Sequence, residues 1–508
     1  MIRVKNLLSR ALVFAVILCL LLSSLGIFNT AKPVFAAETQ KEITVFSWED
    51  YIDLGYDDLS DVSEFMIDKY GEEALQTSIL DIFEENTGIK VNYYSFATNE
   101  EMYNELLKDP TAVDLICPSE YMVLKMREEG LIKAFDMPEN YVKYGSSYIK
   151  DTFEKLGLNT DNGKTYAVGY MWGTMGFIYN MDKFSEDDLK HWASVYDQMF
   201  KGKVTIKDSL RDSYIMGVGI VYEQELLELK KQYEDGDITS EQYSNKIFEI
   251  FNRTDSDTVD AVGEKIINLK SNLYGFEVDA GKSDLLTGKV DVNFAWSGDA
   301  VYTMFDGDDA DKNFGYVVPE EGSNVWFDGF VMTKDADEDL AAEFLNFLCD
   351  PSIAVRNMDY IGYTSSIAGD EVFEYVSDNY GITDDDDTPV TTFDLSYFFG
   401  EDGDYVIESG FYARHLYAQY ADEQTILRCA VMDNFPVEDL TRINEMWSEV
   451  KLITLPTYAI CTILGVIVLF IALAVIYKYK DAKIFNRKER ERKIKKGYKE
   501  IKRENVNR

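Results

Sequence analysis

The sequence predicts an α/β fold, because short apolar strands alternate with amphipathic helices over most of its length. The first unit reads as a strand at residues 42–47, a helix at 74–87 and a second strand at 90–96. The chain has 508 residues, enough for two or three domains of about 100–200 residues each. No long linker divides residues 38–450, so any two lobes are expected to share one compact unit.

The later elements continue this alternation. Asn99 is predicted to cap a helix at 99–108, and Ser119 to cap the helix that follows a buried strand at 112–117. The charged stretch 224–255 is predicted to be an inserted helical hairpin with its turn at 235–237. Further strands are expected within 166–179 and at 203–207, 290–295 and 326–333, and further helices at 210–222, 259–273, 298–306 and 340–348.

Residues 1–36 are predicted to be a secretory signal peptide. Arg3, Lys5 and Arg10 precede an apolar run, and small residues permit cleavage before Ala37. The alternative is an uncleaved signal anchor, because a run that continues to Phe28 approaches the roughly 20 residues that a membrane-spanning helix needs.

A second apolar segment, residues 452–477, contains no charged side chain and is predicted to be a transmembrane helix. The tail that follows, residues 478–508, has 14 Lys/Arg against 5 Asp/Glu. Basic flanks of this kind remain cytoplasmic. The sequence therefore predicts a single-pass protein of the cell membrane, with the main body extracellular or periplasmic and the C-terminus in the cytoplasm.

The predicted outer part is strongly acidic. The whole chain has a formal net charge of −41, and setting aside +9 for the tail and +4 for the signal leaves −54 for residues 37–477. Such a field favours a cationic ligand and disfavours nucleic acid, although much of the charge is expected to serve solubility.

Motifs for catalysis or metal binding are absent from the sequence. It has no nucleophile elbow, phosphate-binding loop or zinc-protease signature, and His191 and His415 stand alone. The body's three cysteines, Cys117, Cys349 and Cys429, are too widely spaced for a disulfide framework or a zinc site, although one bridge remains open. No enzymatic activity, cofactor or metal is expected. Acidic loops at 306–313 and 384–387 give only a weak calcium signal.

Aromatic and acidic side chains occur together at the ends of predicted strands, where open α/β sheets bind their ligands. Carboxylates neutralise ammonium groups, and aromatic faces hold methylene chains and add cation–π attraction. The pattern therefore predicts a slot for a linear polyamine. The segments that carry it are Trp48-Glu49-Asp50-Tyr51, Ser119-Glu120-Tyr121, Asp208 with Asp212, Trp296-Ser297-Gly298-Asp299 and Trp326-Phe327-Asp328.

The same segments resemble the spermidine/putrescine-binding proteins of polyamine ABC transporters. The resemblance covers most of residues 42–365 in the family's order. It is carried by 45–51 (VFSWEDY), 79–94 (ILDIFEENTGIKVNYY), 114–131 (DLICPSEYMVLKMREEGL), 166–180 (YAVGYMWGTMGFIYN), 294–300 (FAWSGDA) and 359–364 (DYIGYT).

The resemblance implies a two-lobed, type II periplasmic-binding-protein-like fold that closes on its ligand like a hinged trap. One lobe is expected to comprise residues 37–170 and 297–335, and the other residues 171–296 and 336–447. It also implies ABC permease subunits with a separate ATPase as partners. A monomeric binding unit is expected, because a hinged trap needs no second copy.

The resemblance also assigns ligand-binding residues by position. Trp48 and Tyr51 correspond to aromatic walls, and Asp50 to an ammonium partner, although this family more often has Glu there and a small polar residue at Glu49. Asp299 is expected to be the central salt-bridge partner. The other assigned positions are Ser119, Tyr121, Asp208, Asp212, Phe276, Trp296, Trp326 and Tyr363, with Ser209 competing for one of the two acidic places.

Two alternatives remain open from the sequence. One is a binding protein for another small solute, such as a different organic cation, a sugar or a ferric ion. The other is a membrane-tethered hydrolase of the cell wall. The insertions at 52–76 and 224–253 have no counterpart in the short members of the family, and no role is predicted for them.

Overall fold

The computed structural model describes residues 40–60, 62–160, 162–383, 388–401, 403–452 and 465–478, with residues 488, 492 and 495. The predicted signal at 1–36 and the acidic run at 384–387 lie outside the described residues. One compact unit extends to Met446, and a second unit begins at Trp447.

The first unit is built on a mixed sheet of twelve strands within the described part of the chain. Its main path runs β2-β1-β3-β12-β7-β10-β8-β9. The strands on this path are β1 (Lys41–Trp48), β2 (Ile89–Phe96), β3 (Leu115–Ile116), β7 (Val168–Asn180), β8 (Val204–Lys207), β9 (Gly275–Glu277), β10 (Val292–Trp296) and β12 (Ser323–Thr333).

Four short strands pair alongside the two longest ones. They are β4 (Ile132–Lys133) and β16 (Cys429–Ala430) on β12, and β11 (Phe314–Val317) and β13 (Thr364–Ser365) on β7. Two separate hairpins pair β5 (Phe135–Asp136) with β6 (Lys164–Thr165), and β14 (Thr391–Asp394) with β15 (Val406–Ser409).

Strands β7 and β12 join the two halves of the sheet. They run antiparallel from Val325 opposite Thr174 to Phe330 opposite Val168, and the register shifts between Asp328 and Gly329. All of β12 is buried, and so is β7 apart from its last residue. Strands buried on both faces have nearly continuous apolar sequences, so a polar side chain inside one of them calls for a functional explanation.

Helices cover the sheet, as the alternation predicted. They are α1 (Glu64–Tyr70), α2 (Glu72–Leu75), α3 (Ile79–Thr87), α4 (Asn99–Lys108), α5 (Glu120–Glu128), α6 (Glu139–Tyr144), α7 (Ser147–Lys155), α8 (Leu210–Val221), α9 (Glu223–Glu234), α10 (Ser240–Phe251), α11 (Ser256–Leu269), α12 (Gly281–Leu286), α13 (Ser297–Asp309), α14 (Glu338–Leu348), α15 (Pro351–Ile361), α16 (Asp370–Tyr380), α17 (Ser396–Phe399), α18 (Ala413–Gln419), α19 (Glu423–Leu427) and α20 (Val437–Lys451).

Several local predictions need correction. The helix predicted at 74–87 is broken, because Ser78 begins α3 by accepting the backbone N–H of Leu80. Thr98, rather than Asn99, caps α4 by accepting the N–H of Glu101. Ser119 occupies the N-cap position of α5, but its hydroxyl makes no capping bond. The hairpin predicted in 224–255 is confirmed as α9 and α10, with Gly236 at φ 80° in the turn.

Cys117, Cys349 and Cys429 are buried and free, so none of the three forms the disulfide bridge that the sequence left open. Of the predicted transmembrane segment 452–477, residues 453–464 lie outside the described residues, and 465–478 are helical. Within the described part of the chain, no helix is both long and apolar enough to cross a bilayer.

Candidate ligand-binding site

A buried carboxylate lies in the middle of β12. Asp328 is 6% exposed. Its Oδ2 accepts the hydroxyl of Tyr51 at 2.8 Å, and its Oδ1 accepts the hydroxyl of Ser119 at 2.8 Å. Among the described residues, no lysine or arginine forms an ion pair with it. This bond explains why the Ser119 hydroxyl does not cap α5, because it donates to Asp328 instead.

The loop before α5 holds this strand in place. The carboxylate of Glu120 accepts the backbone N–H of Phe327 at 3.0 Å, and the carbonyl of Pro118 accepts that of Gly329 at 3.1 Å. Both neighbours of Asp328 in β12 are therefore fixed to the same turn. These two contacts pre-organise the strand around Asp328.

Burial makes the charged form of Asp328 unfavourable. Desolvation raises its pKa to about 7, although the two hydroxyl donors act in the opposite direction. A buried carboxylate that has a raised pKa and no ion-pair partner among the described residues is a candidate for a functional site.

A second buried carboxylate, Asp212, lies in the first turn of α8. It is 8% exposed, and burial raises its pKa to about 6. Its charge in turn contributes to the raised pKa of Asp328, so the two carboxylates are electrostatically coupled. No ion pair to Asp212 is formed within the described part of the chain.

Aromatic rings surround this region. The Tyr51 ring meets those of Tyr170 and Tyr363 edge to face, with centroid separations of 5.5 and 5.7 Å. The indole of Trp326 lies 5.6 Å from the Tyr363 ring. Two glycines permit this packing, because a Cβ on Gly298 would lie 1.8 Å from Tyr363 and one on Gly173 would lie 2.8 Å from Trp326.

Asp299, predicted to be the central salt-bridge partner of the ligand, pairs with two lysines of the same chain. Its Oδ2 accepts from Lys207 at 3.2 Å, and its Oδ1 accepts from Lys282 at 3.2 Å and from the Tyr363 hydroxyl at 3.1 Å. Burial opposes its charge, but the two ammonium groups outweigh burial and lower its pKa. These contacts argue against Asp299 as a partner of the ligand. Its assignment as a ligand-binding residue stays a prediction.

Lys207, at the end of β8, is 1% exposed. Its ammonium donates to the Val278 carbonyl at 2.9 Å, lies 3.3 Å from Glu277 and stands 4.0 Å from the centroid of the Trp296 ring. Burial lowers the pKa of Lys207, but the carboxylates of Asp299 and Glu277 reverse this effect and raise it overall. The predicted ligand residue Trp296 therefore has its face covered by a lysine from the same chain.

The remaining predicted residues lie in different surroundings. The Tyr121 hydroxyl accepts from Asn99 at 2.9 Å, and the Arg211 guanidinium covers the Tyr121 ring at 3.8 Å. Trp48 packs against Phe96 with centroids 4.7 Å apart. Glu49 and Asp50 are exposed, while Asp208 and Phe276 are half-buried. The structure thus groups Tyr51 and Ser119 around Asp328, and Trp296, Tyr363 and Asp299 around Lys207.

Sequence reasoning noted Asp328 within a motif but did not select it, and it missed Lys207, Glu277 and Lys282. One signal for Asp328 was available. It is the single charged residue in the sequence SNVWFDGFVMT of β12, which is otherwise typical of a buried strand. The lysines carried no such signal, because basic residues next to strand ends are usually solvated.

Residues 78–370, more than half of the chain, match the family described as bacterial extracellular solute-binding protein. The class that the fold and the site define is thus that of solute-binding proteins. The chain belongs to this bacterial extracellular family. The predictions of a solute-binding role and of family membership are confirmed.

The chain is similar to the spermidine/putrescine-binding periplasmic protein of Salmonella typhimurium, with 28% identity over 294 residues, 57% of this chain and 74% of that protein. It is 26% identical over 339 residues to the putrescine-binding periplasmic protein PotF of Escherichia coli, covering 65% of this chain and 79% of PotF. A solved putative spermidine/putrescine ABC transporter protein from Listeria monocytogenes shares the fold, with a TM-score of 0.55 and 23% identity over 81% of this chain and 99% of that one. The predicted two-lobed α/β fold is thereby confirmed.

Proposed function

We propose that this protein captures a linear polyamine and delivers it to the permease of an ABC transporter. The observation that carries the proposal is the pair of buried carboxylates, Asp328 and Asp212, that have raised pKa values and no ion-pair partner among the described residues. The relatives named for putrescine or spermidine binding support the same ligand class. So does the strongly negative net charge of −41.

Asp328 would receive one ammonium group of the ligand. Its two oxygens already accept the hydroxyls of Tyr51 and Ser119, which leaves lone pairs for a cation and fixes the carboxylate plane. Bringing an ammonium beside it lowers its pKa and restores its charge, so binding gains a charge-assisted hydrogen bond in a desolvated site. The rings of Trp326 and Tyr363 would hold the methylene chain.

Asp212 would receive a second ammonium. It lies on α8, which follows β8, and β8 is in the opposite half of the strand order from β1 and β3, the strands that precede Tyr51 and Ser119. In the predicted lobe arrangement, residues 37–170 and 297–335 contribute Asp328, and residues 171–296 and 336–447 contribute Asp212. A diamine that bridges the two carboxylates would stabilise the closed state of a hinged trap.

We further propose that the protein is anchored in the membrane. The apolar segment 452–477 and the basic tail 478–508 support a single span with the tail in the cytoplasm, and residues 1–36 support export. A tether raises the local concentration of binder at its permease without new contacts. Membrane fractionation of the full chain with a C-terminal tag tests this, and recovery of the intact tagged chain in the soluble fraction contradicts it.

Calorimetric titration of the full-length protein with putrescine, spermidine and spermine tests the ligand class. We expect one saturable site for at least one of the three, with binding lost in Asp328→Asn. The matched control is Asp359→Asn, because Asp359 is half-buried and, like Asp328, accepts two side-chain hydroxyls, from Tyr56 at 2.5 Å and from Tyr375 at 3.2 Å. A folded wild-type protein that binds none of the three amines would refute the proposal.

A further inference from the structure

The ammonium of Lys207 is held as a bound polyamine nitrogen would be. Its three partners are the Val278 carbonyl at 2.9 Å, Asp299 at 3.2 Å and Glu277 at 3.3 Å. The Trp296 ring lies on another side at 4.0 Å. An ammonium has three protons to donate, so this contact set leaves Lys207 no donor for a ligand. It also leaves the aromatic face no room for a second cation.

The charged groups around Lys207 are paired with one another. Glu277, Asp299 and Asp279 provide three negative charges, and Lys207 and Lys282 provide two positive ones. Glu277 is held in place by the backbone N–H of Gly281 at 2.8 Å and by the amide of Asn293 at 3.0 Å. A ligand ammonium entering this region meets carboxylates that already have lysine partners.

We propose that Lys207 sets an upper limit on ligand length by occupying an ammonium subsite. This inference rests on the proposed function and specifies its substrate class as short diamines. An amine that carries a further ammonium beyond Asp328 and Asp212 must either displace Lys207 or bury that charge without a partner. Both alternatives cost affinity.

The test compares putrescine and spermidine titrations of the full-length wild type and of Lys207→Ala, which removes the ammonium and opens its space. We expect the wild type to favour putrescine by about tenfold or more, and the variant to shift the affinity ratio toward spermidine by about tenfold, or 1.4 kcal/mol. Lys289→Ala is the control, because Lys289 also pairs with an aspartate and faces an aromatic ring, but at the surface.

Removing Lys207 alone leaves Glu277 without its cation, so the second variant is Lys207→Ala/Glu277→Gln, which removes one charge of each sign and leaves the net charge of the cluster unchanged. A spermidine-to-putrescine ratio unchanged in both folded variants, with putrescine still bound, overturns the length limit and leaves the proposed function intact. Wild-type protein that binds spermidine as tightly as putrescine also overturns it. If the folded wild type binds neither amine, both the proposed polyamine-binding function and the length limit are refuted.

A second, independent inference concerns a cluster that the ligand site does not use. Ligand atoms of His191, Glu223 and Glu321 lie within 4.8 Å of one another, and the three residues come from three distant segments. The backbone N–H of Glu320 donates to the Lys190 carbonyl at 2.8 Å, so the segments of His191 and Glu321 are fixed to each other.

Trp192 also links the segments that carry these residues. Its indole N–H donates to the Gly322 carbonyl at 2.8 Å, and its ring packs against Gly219, where a Cβ would lie 2.3 Å from the indole. Gly219 is in α8, which is followed at once by α9, and Glu223 is the first residue of α9. Trp192 therefore contacts or adjoins the segments that carry all three side chains.

One carboxylate oxygen of Glu321 lacks a hydrogen-bond partner among the described residues. Glu321 is 1% exposed, its Oε1 lies 3.1 Å from Nδ1 of His191, and its Oε2 has no hydrogen-bond partner among the described residues. An uncompensated buried carboxylate is costly, and a cation would relieve that cost.

We infer that His191, Glu223 and Glu321 bind a divalent transition-metal ion, with Zn²⁺ the best match to one imidazole and two carboxylates. Calcium does not fit, because it takes oxygen ligands only. Bound metal would fasten the inserted hairpin of α9 and α10 to the turn before β12, since Glu223 begins that hairpin.

Titration of chelator-treated full-length protein with Zn²⁺ tests this site. We expect one equivalent to bind and raise Tm in the wild type and in Glu320→Gln, whose parent side chain pairs with Lys230 at 3.1 Å outside the cluster. Both effects should be lost in Glu223→Gln, a half-buried position where folding is spared, and in His191→Ala. Equal zinc binding by these two variants, or no stoichiometric zinc binding by the wild type, overturns the inference. So does equal stabilisation by Ca²⁺.

Discussion

Tyr51 donates its hydroxyl hydrogen to Asp328 at 2.8 Å across 277 residues of sequence. The bond joins the loop after the first strand to the middle of a long buried strand. Ser119 donates to the other oxygen of the same carboxylate. Three segments that are far apart in the chain thus meet at one carboxylate.

Replacing Asp328 with asparagine should separate binding from stability. Ligand affinity should fall by roughly 100-fold, because a buried ammonium would lose its counter-ion. The ligand-free variant should nevertheless be about 1–3 kcal/mol more stable at pH 8, since burial raises the pKa of Asp328 to about 7 and disfavours its charged form.

The sign of this stability change depends on pH. The native state holds the Asp328 proton to higher pH than the unfolded chain does, so stability falls as pH rises from about 4 to 7. The gain in the variant should therefore vanish below about pH 4. Urea unfolding at pH 4 and pH 8 measures it, and a variant less stable than the wild type at pH 8 would contradict the account.

Polyamine affinity should weaken as the pH is lowered. Asp328 and Asp212, with pKa values of about 7 and 6, take up protons that a ligand must displace. Affinity should fall by about tenfold between pH 7 and pH 6 and by up to about 100-fold per pH unit below pH 6, where both carboxylates are protonated. Binding should release protons, detectable by calorimetry in buffers of different ionisation enthalpy. Constant affinity from pH 8 to pH 5 would exclude both carboxylates as the ammonium partners.

The two hydroxyl donors should tune this pH dependence. The hydrogen bonds from Ser119 and Tyr51 lower the pKa of Asp328, so Ser119→Ala or Tyr51→Phe should raise it further. Affinity at pH 7 should drop by about three- to tenfold and recover at pH 9, where Asp328 is ionised in every variant. An equal loss at both pH values would indicate that the hydroxyls contact the ligand directly.

Asp299→Asn should mainly affect stability. The carboxylate accepts from Lys207 and Lys282, and its removal leaves one buried and one half-buried ammonium group short of an acceptor, at a cost of about 3–5 kcal/mol. Because the pKa of Asp299 is lowered in the fold, this contribution is present at neutral pH and lost below about pH 4.

Thermal unfolding of Asp299→Asn, followed alongside putrescine titration, distinguishes two roles. A large drop in Tm with affinity retained in the folded protein supports a structural carboxylate. Wild-type stability with binding abolished would instead restore the expectation that Asp299 is the ligand's central partner.

Much of the architecture could be predicted from local sequence patterns. The alternation of strands and helices, the hairpin at 224–255 and the clustering of aromatic and acidic residues after strands depend on side-chain periodicity and turn residues, which are local properties. The helix break at Ser78 was missed because one serine hydroxyl decides it, and helix boundaries are set by such single bonds.

The sequence by itself determined that this chain is an acidic α/β solute-binding protein with carboxylates and aromatic rings at its strand ends. It did not determine which carboxylate is available to a ligand. Asp299 is occupied because Lys207, 92 residues away in sequence, lies 3.2 Å from it. Among the residues that the structure describes, Asp328 has no such partner, and its carboxylate accepts the hydroxyls of Tyr51 and Ser119 instead. Whether a buried charge is neutralised depends on distances of a few ångströms between remote segments, and tertiary packing alone decides those distances.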